Sequence, residues 1–361
     1  MKKWIYLIVL LLSLIQPAAA AQIPEELEKA LPAEAEELLD TLDREAETVD
    51  TLSQGIAVLW EQGTQLFLRA FRSRVGGMVT LLSIVLLCAL VNDCIQGSGD
   101  NNRAAAIVPM AGAAAIAVTT VSNVQTMIGL GMQTIEDLSV FSKALLPTLS
   151  AAVAASGGVV SAGLRHVAGV FFSDVLITLI RRLLLPLLYF HIAVSAADAM
   201  VSGERLKGLA AGIGKVISWM LTGSVLLYTG YLTLSGAMAE SADTVAMHVT
   251  QSVMGVVPVV GNIISNAAGT VLSGAVMLKN TIGVVGMLAV LAICLVPILE
   301  LAAQYLMYKL TAFLAGTFGA PQLVKLIEAL GGAFGMILGM TAACALMLLI
   351  SIITSVSVVT I

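Results

Sequence analysis

The sequence predicts an all-α polytopic transmembrane helix bundle that follows a cleaved signal peptide and an acidic leader. Of the 361 residues, 58% are hydrophobic and only 11% are charged, whereas a soluble domain carries about 25% charged residues. Apolar runs of about 20 residues, long enough to cross a bilayer, recur along the chain. Polar or glycine-rich stretches separate these runs, which is typical of helices that cross a membrane repeatedly.

The first element is a signal peptide over residues 1–21. Lys2 and Lys3 precede a short apolar core, and small residues follow it, so cleavage is expected beside Ala20 and Ala21. The alternative is an uncleaved anchor, for which the apolar core is short. A cleaved signal places the next segment outside the cytoplasm.

An acidic leader occupies residues 22–50, and an amphipathic helix follows at 51–74. Residues 22–63 hold 12 acidic side chains against Lys29 and Arg44. Leucines in the leader form narrow apolar stripes that need a partner to bury against, although a solvated tether is an equally open interpretation. Over 51–74 apolar residues share one helical face, which indicates a helix at the membrane interface. The polytopic membrane domain then covers 75–361.

The membrane domain begins with two predicted spans, at residues 75–91 and 104–121, with a polar loop at 92–103 between them. Small side chains in the second span favour close helix packing. Residues 122–142 are weakly amphipathic and are expected to lie at an interface.

A glycine-rich block occupies residues 143–163 and contains Pro147, Gly157 and Gly158. Proline and glycine both weaken a helix interior. The block is therefore either a helix crossing stabilised by small residues or a broken helix that lines a polar path.

Two adjacent arginines, Arg181 and Arg182, interrupt the next apolar stretch. Placing both at a bilayer centre would cost about 5–7 kcal/mol. The pair is therefore expected at a membrane surface, between an element at 167–180 and a span at 183–202. Asp174 lies on the same helical side as Arg181 and is a candidate partner for it.

A basic loop at 203–215 sets the predicted orientation. It carries Arg205, Lys207 and Lys215, so the positive-inside rule places it in the cytoplasm. A span at 216–235 then leads back to an acidic segment on the outer side.

The central block, residues 255–275, is apolar but poorly suited to a lipid-exposed helix. Pro258, Gly261 and Gly269 interrupt it, and in hydrocarbon a freed backbone group must find a partner in the protein or in cavity water. We therefore expect a broken or re-entrant element packed inside the bundle. Gly283, in the plainer span that follows, is expected to tolerate a larger side chain better.

The C-terminal part contributes a last span at 331–353. Gly331, Gly335 and Gly339 form a stripe in it that favours tight helix contact. Residues 302–319 are either another crossing or an interfacial helix. The total is therefore roughly six to eight spans.

No motif for catalysis, a cofactor or a metal stands out. The GSGD at 97–100 matches a pattern of intramembrane aspartyl proteases, but its Asp lies in a polar loop and not in a desolvated acidic pair. Residues 209–216 fail both ends of a phosphate-binding loop. The histidines and cysteines form no ligand pair. We therefore expect no enzyme activity, cofactor or metal, and with so few charges no binding of nucleic acid.

Two blocks resemble a known family. The run PVVGNIISNAAGTVLSGAVMLKNTIGVVG at 258–286 resembles the signature of the stage III sporulation protein AE family, and KALLPTLSAAVAASGGVVSAG at 143–163 resembles its other glycine-rich block. The resemblance implies a component of the complex that links mother cell and forespore, in the mother-cell membrane around the forespore. The expected partners are the lipid bilayer, other membrane proteins of the stage III complex and further copies of this chain. The family brings no catalytic residues.

Two functions remain open at this point. One is a structural membrane subunit of a trans-envelope channel or secretion-like complex, needed for spore development after engulfment. The other is a stand-alone transporter. Inverted-repeat transporters carry interruptions at corresponding positions of two halves, and the blocks at 143–163 and 255–275 fit that pattern.

Overall fold

The computed structural model describes residues 52–97, 102–200, 206–254 and 260–357, together with Leu31 and Pro32. Regular structure within these ranges is entirely helical, and six helical segments there are long and apolar enough to cross a membrane. The predicted all-α membrane bundle is confirmed, with a span number at the lower end of the predicted range. The signal peptide and, apart from those two residues, the leader lie outside the described residues.

We number the α-helices of the described ranges in chain order. They are α1 (Leu52–Ser73), α2 (Val75–Gly97), α3 (Asn102–Ala155), α4 (Val159–Leu179), α5 (Leu185–Met200), α6 (Lys207–Met254), α7 (Val260–Ala315) and α8 (Pro321–Val356). A π-helical turn at Ile180–Leu184 joins α4 to α5, and a 3-10 turn at Gly316–Phe318 follows α7.

The helices are longer than predicted, which corrects several boundaries. α3 is one helix that includes the predicted second span, the predicted interfacial segment and Pro147. α2 continues to Gly97 and α3 begins at Asn102, so most of the predicted polar loop at 92–103 is helical. Prolines are tolerated inside membrane helices because neighbouring helices and hydroxyl side chains satisfy the freed backbone groups.

α7 also joins segments that were predicted separately. Residues 260–275 of the central block, the plain span and residues 302–315 form one continuous helix, and a 3-10 turn follows at Gly316–Phe318. The predicted break is therefore absent from the described part of the central block, residues 260–275, and residues 255–259 lie outside the described residues. α8 likewise begins at Pro321, well before the predicted last span at 331–353.

The length of these helices places part of them outside the hydrocarbon of a bilayer. α3 and α7 have 54 and 56 residues, which at the rise of an α-helix is about 80 Å each. The hydrocarbon core is about 30 Å thick. At the tilts usual for membrane helices, each of the two extends beyond the lipid on at least one side.

The chain reverses direction between α3 and α4 at Gly157 and Gly158. Gly157 has a φ of 98°, a left-handed conformation that glycine adopts without a Cβ clash. The N–H of Gly158 donates to the Val153 carbonyl at 3.1 Å, and the Ser156 hydroxyl donates to the same carbonyl at 2.8 Å. These bonds satisfy a carbonyl that the helix end leaves unpaired.

α7 and α8 form the centre of the bundle, and α3 packs against both. Val290 and Leu301 of α7 and Phe334 of α8 are completely buried there. α2 and α6 lie at the periphery and carry exposed apolar side chains such as Leu87 and Leu227. Such side chains suit a surface that faces lipid rather than water.

The glycine stripe of α8 lies at two helix contacts. A Cβ on Gly331 would lie 3.1 Å from the Cβ of Tyr308, and one on Gly335 would lie 3.0 Å from the ring of Tyr305. Gly339 contacts α6 instead. The first two glycines therefore allow α8 to approach α7 closely.

Gly283 does not behave as expected from the sequence. A Cβ at this position would collide with Val356, the last residue of α8. The comparison with Gly261 and Gly269 stays a prediction, but the expectation of room for a larger side chain at Gly283 is wrong. The reason is that the far end of another helix packs on it, which the local pattern around Gly283 does not indicate.

Candidate functional site

An arginine lies where α1 meets α2, at the one residue between the two helices. The guanidinium of Arg74 donates to Glu300 Oε2 at 2.8 Å and to Gln304 Oε1 at 2.6 Å, and it lies 3.2 Å from Met127 Sδ. The junction of the first two helices is thereby tied to α7 and α3. We call Arg74, Glu300 and Gln304 the polar centre.

The polar centre holds charges that are partly removed from water. The side chain of Arg74 is 17% exposed and that of Glu300 is 36% exposed. On insertion scales an arginine at a bilayer centre costs about 2.5–3.5 kcal/mol. Glu300 and Gln304 lie one turn apart on α7, so both acceptors share a helical face and suit the planar fork of the guanidinium. The pairing therefore fixes the α1–α2 junction beside Glu300 and Gln304 of α7.

A cavity of about 300 Å³ adjoins the polar centre. Its volume exceeds the roughly 30 Å³ that one water molecule occupies. A polar cavity of this size has room for water molecules beside the guanidinium. The hydroxyl, amide and phenol side chains of its lining are Ser73, Thr80, Thr119, Thr120, Asn123, Gln304, Tyr308 and Thr311.

A second ion pair lies on the outside of the bundle. Arg181, in the π-helical turn, contacts Glu136 of α3 at 2.8 Å, and the two side chains are 44% and 61% exposed. The predicted break between 167–180 and 183–202 is corrected, because α4, the turn and α5 follow one another without a loop. Arg181 pairs with a distant helix and not with Asp174 on its own.

A larger cavity of about 820 Å³ lies between α5, α6 and α8. The charged and imidazole side chains of its lining come from all three helices. His191 and Asp198 belong to α5, Lys215 to α6, and Lys325 and Glu328 to α8.

Two hydrogen bonds fix the α5 side of this larger cavity. His191 is buried, and its Nδ1 lies 3.0 Å from the carbonyl oxygen of Ala210. Because a carbonyl only accepts, Nδ1 carries the proton. Asp198 Oδ1 accepts the N–H of Leu206 at 2.8 Å, directly before α6 begins. Both bonds hold the end of α5 against the start of α6.

The residues singled out from the sequence do not gather at one site. Gly157 and Gly158 form the α3–α4 turn, Pro147 lies inside α3, and Lys215 lines the larger cavity. Lys207 is the first residue of α6. Outside the described residues lie Ala20, Ala21, Arg205 and Pro258, as do the surroundings of Gly261 and Gly269, which belong to the helical backbone of α7.

The polar centre is not apparent from the sequence because Arg74 and Glu300 are 226 residues apart in the chain. The pattern indicated only that Arg74 lies off an apolar helical face and that Glu300 ends an apolar run. One feature of the sequence could have indicated the pair. Arg74 and Glu300 each adjoin an apolar stretch, where an unpaired charge is energetically costly. Within the described ranges, no group of three or more His, Cys, Asp or Glu side chains could hold a metal ion.

Comparison with known proteins gives the chain a family. The family model for Stage III sporulation protein AE matches residues 44–359, a range that contains α1 to α8 and both cavities. The Stage III sporulation protein AE of Bacillus subtilis (strain 168) is 24% identical over 278 residues, which are 77% of this chain and 69% of the relative. No solved structure is significantly similar. The resemblance found in the sequence is confirmed: the chain belongs to the stage III sporulation protein AE family and is a multi-pass membrane protein with a role in sporulation.

Proposed function

We propose that this chain is a structural membrane subunit of a channel-like complex between mother cell and forespore, needed after engulfment. It lies in the mother-cell membrane around the forespore, with its leader outside the cytoplasm, and its partners are other membrane proteins of that complex. The observation that carries the proposal is the polar centre. Together with the Arg74–Met127 contact, it fixes the end of α1, the helix that follows the leader, to α7 and α3, the two longest helices of the described ranges.

The polar centre suits a fixed support better than a moving carrier. Arg74 is held by two short hydrogen bonds and a packed sulfur atom. Ion-coupled carriers place ionisable groups along a path, where the groups exchange partners. α3 and α7 are longer than the hydrocarbon core is thick, so parts of both helices lie outside it. These parts offer surface for contact with other proteins of the envelope.

A stand-alone transporter is the second candidate, and one observation favours it. The cavity of about 820 Å³ between α5, α6 and α8 is large enough for a small solute. Against it, the interruption at Gly157 and Gly158 is a connection between antiparallel helices and does not lie within a span.

The test is genetic, in the endospore-forming bacterium that carries this chain. Deletion should leave vegetative growth normal and arrest spores after engulfment. Removal of residues 24–50 alone should cause the same arrest, while membrane fractionation still finds the remaining chain in the membrane. A matched internal control replaces 24–50 with a neutral Gly/Ser segment of equal length, which should also arrest.

Two results would contradict the proposed function. One is normal sporulation after deletion. The other is a purified single chain that moves a defined solute across liposomes with no partner present, which would establish the transporter instead.

A further inference from the structure

We propose that the cavity between α5, α6 and α8 binds a phospholipid whose headgroup carries both a phosphate and a primary ammonium, as in phosphatidylethanolamine. The inference rests on the cavity's polarity, charge and position, and it is independent of the role in the sporulation complex.

The lining changes from charged to uncharged along the helices. α5 ends, and α6 and α8 begin, at the same side of the cavity. Asp198 near the end of α5, Lys215 near the start of α6, and Lys325 and Glu328 near the start of α8 form the charged mouth. Bases of this kind between helix ends, at a membrane surface, are where lipid headgroups bind.

The deeper part of the lining has no Asp, Glu, Lys or Arg side chain, and its ionisable member is the imidazole of His191, which is paired with the Ala210 carbonyl. Thr222 of α6 and Gly332 and Met336 of α8 lie one or more turns beyond the mouth residues of their helices, and Ser195 of α5 lies three residues before Asp198. A ligand that matches this gradient is charged at one end and apolar at the other. The gradient therefore favours an amphiphile over a uniformly polar solute.

The charges at the mouth favour a headgroup with both signs. Two lysines and two carboxylates face the same space, so a bare anion gains attraction from Lys215 and Lys325 and repulsion from Asp198 and Glu328. A phosphate with an attached ammonium places an opposite charge beside both kinds of side chain. Because Asp198 already accepts a backbone N–H, Glu328 is the better acceptor for the ammonium.

The cavity also opens toward lipid. Trp219 lines it and is nevertheless 80% exposed, so the cavity reaches the bundle surface beside this indole. Its volume of about 820 Å³ lies in the range of small-ligand pockets, enough for a headgroup and the first part of the acyl chains. The rest of the chains would continue past Trp219 into the bilayer.

Trp219 offers a direct reporter of occupancy. The full sequence has three tryptophans, so replacing Trp4 and Trp60 with phenylalanine leaves Trp219 as the fluorophore. The purified chain is placed in nanodiscs of phosphatidylcholine with a small, fixed fraction of brominated lipid, whose bromines quench indole fluorescence at contact. Brominated phosphatidylethanolamine, phosphatidylcholine and phosphatidylglycerol are compared at the same fraction.

The ethanolamine lipid should quench Trp219 with an apparent affinity about tenfold above the choline lipid, which has no ammonium hydrogen to donate. The double variant Lys215→Gln/Glu328→Gln, which keeps the net charge, should remove this preference. Lys309→Gln, an exposed lysine of α7 outside the cavity, should keep it. Native mass spectrometry of the unaltered chain should show retained ethanolamine lipid, which guards against a folding defect in the tryptophan variants.

Three outcomes would overturn the proposal. Equal quenching by all three lipids would mean random contact with the bilayer. Stronger quenching by phosphatidylglycerol would mean a simple anion site. Complete relief of quenching by an equal concentration of soluble phosphoethanolamine would mean that the ligand is a free solute and not a lipid.

Discussion

Arg74 shows how one residue gains its role from distant partners. By composition it is one of several basic residues near the first span, and it shares its helical stretch with Arg72. Only Arg74 points between helices, where Glu300 and Gln304 accept from it. Arg72 is exposed at the bundle surface. Two arginines only two positions apart therefore lie in different surroundings, Arg72 at the surface and Arg74 between helices.

Replacing Arg74 with glutamine should destabilise the bundle by about 1–3 kcal/mol, because it leaves Glu300 partly buried without its cationic partner. Denaturant unfolding of the purified chain in detergent measures this change. Arg72→Gln is the matched control and should fall within about 0.5 kcal/mol of the parent. Adding Glu300→Gln to Arg74→Gln should cost less than the sum of the single changes, since the two side chains interact. Additive losses, or an equal loss in the control, would contradict the pairing.

The helices extend through positions that local rules mark as breaks. Pro109 and Pro147 lie inside α3, and Pro297 lies inside α7. In water such prolines cost about 3 kcal/mol or more. Inside a packed bundle in lipid, ending a helix would expose several backbone groups to hydrocarbon, each costing several kcal/mol. Continuing the helix is therefore the lesser cost.

Gly261 and Gly269, in the central block of α7, are predicted to be positions of close helix packing. Leucine at Gly261 or Gly269 should force neighbouring helices apart and remove the assembled complex, while the chain stays in the membrane. Blue-native gels of membranes, with a membrane-fraction immunoblot, measure both effects. Gly274→Leu is the matched control on the same helix, because a Cβ at Gly274 meets nothing within 4 Å. Normal assembly and sporulation with both substitutions would mean that the block is an ordinary lipid-facing helix.

At the scale of the whole molecule, charge and helix ends together indicate an orientation. One end of the bundle carries the start of α6, with Lys207 and Lys215, and the start of α8, with Lys325. From the positive-inside rule we propose that this basic end lies in the cytoplasm and the leader outside.

Single cysteines test this orientation. In a background without Cys88, Cys94, Cys294 and Cys344, Asp50→Cys should react with an impermeant thiol reagent in intact cells, and Lys207→Cys should react only after permeabilisation. Cys94 in particular must be removed because it is exposed. Gel-shift labelling measures the difference. Equal labelling of the two positions in intact cells would contradict the proposed orientation.

Composition and local pattern were enough to predict the membrane class, the all-α fold and several helix ends, whereas the family followed from the resemblance of two sequence blocks. These properties are local: hydrophobicity accumulates along a run, and a turn such as that at Gly157 needs a residue that tolerates positive φ. Helix continuity was underestimated because the cost of a break depends on what surrounds it.

Packing in three dimensions decided the rest. The partners of Arg74 and Arg181, the contact of Gly283 with Val356, and the charged mouth of the larger cavity all join helices far apart in the chain. These contacts cannot be predicted from hydrophobic periodicity. The periodicity of a helix indicates which of its faces is apolar, but not which other helix packs against that face. A charge in a membrane protein is costly until a partner is found, and only the assembled bundle determines which partner lies within reach.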